Sequence, residues 1–87
     1  MDRRLLRENR YEDLSEIGKS LIDNLYGNKE EYLESFEHPM ERYIIAYDQN
    51  LDDESTLRSI AQNLNIQLDQ DDFREELYEF FENFSNQ

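Results

Sequence analysis

Apolar residues recur at three- and four-residue steps along almost the whole chain, and this spacing constrains the fold more than any other feature of the sequence. Leu14, Ile17, Leu21, Ile22 and Leu25 form one stripe, and Leu57, Ile60, Ala61, Leu64 and Leu68 form another. Two Gly and one Pro are all that interrupt 87 residues, and no β-branched run offers a strand. The chain is therefore expected to be all-α: a single domain over 1–87, built as a small antiparallel bundle of four helices, or five.

Polar punctuation sets the expected helix ends. The first stripe predicts a helix over about 11–26, open to extension back through the first ten residues, with Gly27 placed where a C-cap belongs. Asn28 and Glu31 have capping-box spacing ahead of Tyr32, Leu33 and Phe36. Met40, Tyr43, Ile44, Tyr47 and Leu51 continue that stripe past Pro39, as one kinked helix or, by the preference of Pro for a first turn, two helices meeting in a tight corner at His38-Pro39. Asp52, Asp53 and Ser55 suit the N-terminus of a further helix. Asp69 is the cap expected for the last one, with Leu68 and Phe73 at hydrophobic-staple spacing and Phe73, Leu77, Phe80, Phe81 and Phe84 as its apolar face.

Charge narrows the function classes. The formal net charge is −13, from 22 acidic and 9 basic residues. Arg3, Arg4, Arg7 and Arg10 oppose Asp2 and Glu8 in residues 1–10, so this segment is basic, and it is open either to join the first helix or to form a flexible N-terminal segment. The remainder is strongly acidic, which repels nucleic acid and anionic membrane and steers basic proteins toward the chain. No apolar run approaches the ~18 residues that span a bilayer. With no Cys and no signal-type apolar stretch near the N-terminus, a reducing, cytoplasmic setting is expected.

Catalytic constellations are not found in this pattern. The one His, His38, precedes Pro39 at a helix junction, where a capping role fits better than general-base work. Carboxylate pairs abound, but none is marked by an apolar cleft that would raise one member's pKa. Asp48-x-Asn50-x-Asp52 copies the first ligands of a calcium loop, yet Asp53 stands where the turn needs Gly and Ser59 where a bidentate Glu should close the site. No catalytic residue, metal or cofactor is expected.

Two acidic stripes remain. Asp72, Glu75, Glu76, Glu79 and Glu82 fall at helical spacing opposite the Phe face, and Glu30, Glu34, Glu37 and Glu41 form a similar series earlier in the chain. Like charges at that spacing repel by a few tenths of a kcal/mol per pair, so a solvated face or a docking surface must justify them.

Glu37-His38-Pro39, followed by Ile44-Ile45, Tyr47 and Asp52-Asp53-Glu54-Ser55, resembles the central segment of the immunity proteins that protect bacteria from their own nuclease colicins. Those are acidic four-helix domains with a Glu-His-Pro turn, a short Leu-Ile-Tyr-Tyr helix and an acidic link to the last helix. Tyr43, Ala46 and Asp48 differ from that pattern, and Tyr47 keeps its aromatic. The resemblance implies an inhibitor that occludes a basic nuclease toxin, with Tyr47 and Tyr43 as anchors among carboxylates. The partner-binding set expected on this reading is Glu30, Glu34, Glu37, Glu41, Tyr43, Tyr47, Asp48 and Asp52, with Asp72, Glu75, Glu76, Glu79 and Glu82 as a second acidic face. A DNA-mimicking inhibitor of a restriction or CRISPR system would instead need an extended carboxylate array. An accessory subunit would need one contiguous exposed patch of Tyr and Phe.

Overall fold

In the computed structural model, which describes residues 2–69 and 71–85, the described chain folds into helices joined by links, with no strand. It forms α1 (Arg3–Glu12), α2 (Glu16–Tyr26), α3 (Lys29–Glu34), α4 (Glu41–Gln49), α5 (Glu54–Asn63) and α6 (Phe73–Ser85). Six helices replace the expected four or five. No described helix is long and apolar enough to cross a membrane.

The extra helix arises where periodicity runs on but the backbone does not. The apolar stripe alone permits a helix continuous from the first residues to Gly27, yet the chain turns at Asp13-Leu14-Ser15. Asp13 closes α1, and the Ser15 side chain accepts from the Gly18 N–H to open α2. The basic segment thus forms a helix of its own, separate from α2 and capped by Asp2, which accepts from the Arg4 N–H at 3.0 Å.

Other ends follow local chemistry. Gly27 ends α2 at φ 108°, a conformation that L side chains rarely adopt. Asn28 opens α3 by accepting from the Glu31 N–H at 2.9 Å, and Asp53 opens α5 by accepting from Thr56. Asn65 (φ 59°) closes α5 in a Schellman arrangement, with the Ile66 N–H on the Ala61 carbonyl and the Asn65 N–H on that of Gln62.

The link from Ser35 to Met40 does separate α3 from α4, as the Pro implied. It is longer than a tight corner, and it carries Phe36 out of the helix to 83% exposure. His38 acts as its clasp: its Nδ1 accepts from the Met40 N–H and its carbonyl from the Glu41 N–H, both at 2.9 Å. Asp69 does not cap the last helix. Its own N–H donates to Glu76 Oε2 at 3.1 Å, and α6 begins at Phe73.

α2 is the hub, packed against α3, α4 and α6; α5 bridges α4 and α6, and α1 docks on α3. Leu21 and Ile22 of α2, Ile44 of α4, Leu57 of α5 and Leu77 and Phe81 of α6 are fully buried. Truncating any of the aliphatic ones to Ala costs ~2–5 kcal/mol, a large fraction of what so small a core supplies. The hub presents α6 beside α4 across α2, and this places the groove described next.

Candidate functional site

The two acidic stripes meet different fates. Arg4 pairs with Glu30 (2.7 Å) and Glu34 (3.0 Å), and Arg10 pairs with Glu37 (3.4 Å) and Glu41 (2.8 Å). Arg7 reaches Glu41 at 3.1 Å, while the Tyr26 hydroxyl donates to Glu41 at 2.5 Å. Glu41 is 0% exposed and offers a partner nothing. The expected docking face on α3 and α4 is therefore occupied along one side by α1, three of whose arginines pair with its carboxylates.

Tyr47 and Asp48 are also committed inside the fold. Tyr47 is 3% exposed, its ring lies edge-on to Phe81 with centroids 5.5 Å apart, and its hydroxyl donates to the Arg74 carbonyl at 3.1 Å. Burial pushes this phenol up to about 12, helped by the nearby Tyr78 and Asp48. It cannot be the exposed anchor that the resemblance implied. Asp48 accepts from the Ser15 N–H at 2.9 Å and from the Ser15 hydroxyl, tying α4 to the start of α2. Tyr43 is half-buried against the core.

What stays open is a groove of about 560 Å³ between α2, α4 and α6. Ile17, Leu51, Tyr47 and Tyr78 give it an apolar floor, and Asp52, Glu75, Glu79, Glu82 and Arg74 form its rim. Ile17, expected in the core stripe, is instead 41% exposed here. Among the described residues, none of the four rim carboxylates takes part in an ion pair. Four carboxylates against one guanidinium leave a local charge of −3.

The groove is built on fixed parts. Arg74 donates from Nε to the Leu51 carbonyl, stacks its guanidinium carbon 4.6 Å from the Phe73 ring centre, and receives the Tyr47 hydroxyl on its carbonyl. Asn24 of α2 donates to the Glu82 carbonyl at 2.9 Å, holding the far end of α6. Such a site can seat an apolar side chain flanked by cationic ones, whose charges would meet carboxylates held beside a low-dielectric floor.

The structure thus unites Asp52 from one expected set with Glu75, Glu79 and Glu82 from the other, above buried Tyr47. Asp72 is exposed at the start of α6 and Glu76 is spent on the Asp69 N–H, so neither lines the groove. Sequence reasoning missed Ile17, Leu51, Arg74 and Tyr78 as site residues. Tyr78 alone carried a signal, being an aromatic flanked by Glu75, Glu79 and Glu82 on the acidic side of α6. Among the described residues no group of three His, Asp or Glu side chains is placed to hold a metal ion. Compared with protein-family models, curated proteins and solved structures, the chain finds no match.

Proposed function

We propose that this chain is an inhibitory binding protein that covers the basic surface of a nuclease or other nucleic-acid-binding protein, in the manner of an immunity protein or antitoxin. The observation that carries the reading is the groove between α2, α4 and α6: four carboxylates that form no ion pair among the described residues, around an apolar floor, on a chain of charge −13. Tyr78 takes the anchoring role, and Asp52, Glu75, Glu79 and Glu82 meet the lysines and arginines that the partner uses to hold phosphate. The compact shape of the patch favours this over DNA mimicry. A duplex presents about one charge per 1.7 Å of axis, and the α3 carboxylates that would lengthen an acidic array are already paired with α1.

The test uses immobilised full-length chain and an extract of its host at low salt, followed by assay of any retained nuclease. Wild type should retain a basic nucleic-acid-binding protein, release it at high salt and suppress its activity. Tyr78→Ala should weaken retention about thirtyfold, the ~2 kcal/mol typical of an interface hot spot, and Glu75→Lys with Glu79→Lys should abolish it. Retention unchanged in both variants would sink the proposal.

A further inference from the structure

α1 is held in an unusual way. Its apolar residues Leu5 and Leu6 face solvent, 52% and 48% exposed, and the side chains it buries are Arg7 and Tyr11. What receives it is an arginine-reading surface. The Arg7 guanidinium carbon stands 4.0 Å from the Tyr32 ring centre, and its Nε donates to the Tyr32 carbonyl at 2.6 Å. Arg3 lies 4.4 Å from the Phe36 ring centre and donates to the Glu34 and Ser35 carbonyls. Carboxylates, backbone carbonyls and ring faces together match what guanidinium groups bind.

One buried group in this cradle is left bare by α1. Tyr32 is fully buried, yet among the described residues its hydroxyl has no hydrogen-bond partner. Burial and the Glu41 carboxylate push this phenol up against the pull of Arg7 and Arg10, as expected of a hydroxyl beside that buried network. A buried polar group without a partner is costly, so a helix that supplied one would hold the cradle better than α1 does.

We propose that the α3–α4 face covered by α1 is a second binding site, which takes an arginine-bearing helix of a basic partner, and that α1 is its tethered, displaceable occupant. The partner helix carries Arg at the spacing of Arg3, Arg4, Arg7 and Arg10, which projects them from one side of a helix. The exposed Asp13, between the end of α1 and the core residue Leu14, is the pivot on which α1 leaves. The inference rests on the proposed function for the basic character of the partner, but on a different face of the molecule.

The probe is a fluorescent peptide of residues 2–13, titrated into full-length chain and read by anisotropy. In the chain carrying Arg4→Glu and Arg10→Glu, both partly exposed positions, α1 is repelled by Glu30 and Glu34 at the first and by Glu37 and Glu41 at the second, and the cradle is free. That chain should bind the peptide at least about tenfold more tightly than wild type, in which the tethered helix competes at high effective concentration. Adding Glu34→Lys should remove binding, and Glu75→Lys with Glu79→Lys should leave it intact. Loss of peptide binding through the groove substitutions, or no binding to a double variant that keeps its helical circular dichroism, overturns the proposal. So does sedimentation showing that the freed helix pairs two copies of the chain instead. Hydrogen exchange on wild type gives a reading that needs no variant: α1 amides should lose protection as salt rises while α2, α4 and α6 keep theirs. Loss of protection in all four together would also refute it.

Discussion

Glu41 shows how one side chain can be misplaced by its neighbours in sequence. Its spacing from Glu37 suggests an exposed stripe, yet the link from Ser35 to Met40 breaks the helical register and turns Glu41 inward onto Arg7, Arg10 and Tyr26. A buried ion pair adds little net stability, because desolvation offsets most of the attraction. Removing one partner is different, since the other charge is then stranded. Glu41→Ala should lower unfolding stability by ~3–5 kcal/mol, read as a fall in the urea midpoint with the slope unchanged. A Glu34→Ala variant, whose carboxylate is well exposed, should cost less than ~1 kcal/mol in the same titration. No periodicity argument separates these two glutamates, because the arginines that do so lie 30 residues and more upstream of Glu34 and Glu41.

At the scale of elements, the joint between α2 and α4 is the most exacting contact. Gly18 lies so close to Asp48 that a Cβ there would stand 2.5 Å from its Cγ, inside any real contact distance. Asp48 cannot swing away without surrendering both hydrogen bonds to Ser15. Gly18→Ala should therefore destabilise the chain by ~1–3 kcal/mol despite alanine's better helix propensity. In a double-mutant cycle with Asp48→Ala, the two losses should fall well short of additive.

Helix ends governed by a single residue's own conformation or side chain were legible in the sequence: Gly27 ends α2, and Asn28 and Asp53 open α3 and α5, where their chemistry placed them. Ends governed by tertiary contact were not. The turn at Asp13-Leu14-Ser15 depends on Asp48 meeting Ser15 across the joint, and the late start of α6 accompanies Glu76 taking the Asp69 N–H. The groove was half legible for the same reason. Its carboxylates on α6 and Asp52 stand out by charge, while Ile17 and Leu51 look like any core position until α6 is laid beside them.

Over the whole molecule, tyrosine burial sets the alkaline limit. Tyr11 and Tyr47 are both pushed up to about 12 from an ordinary value of 10, chiefly by burial, with Asp23 adding to the effect at Tyr11. Between these values the unfolded chain has lost its phenolic protons and the folded one keeps them. Stability should thus be level in this respect below pH 10 and fall as pH rises toward about 12. Urea midpoints measured across that window, with tyrosinate absorbance followed in parallel, check this. Tyr47→Phe should make the decline shallower, and a decline of the same steepness in that variant would place the cause elsewhere.

α6 keeps its two duties on separate sides. Phe73, Leu77 and Phe81 are buried in the core, while Glu75, Tyr78, Glu79 and Glu82 line the groove. On the proposed function, a chain so arranged can change what it recognises without relearning how to fold. Randomising those four groove positions should yield mostly folded members that differ in target, whereas the same freedom on α3 would set the arginines of α1 adrift. The last helix is where new specificities can arise, and the joint between α2 and α4 is where the molecule is least free to vary.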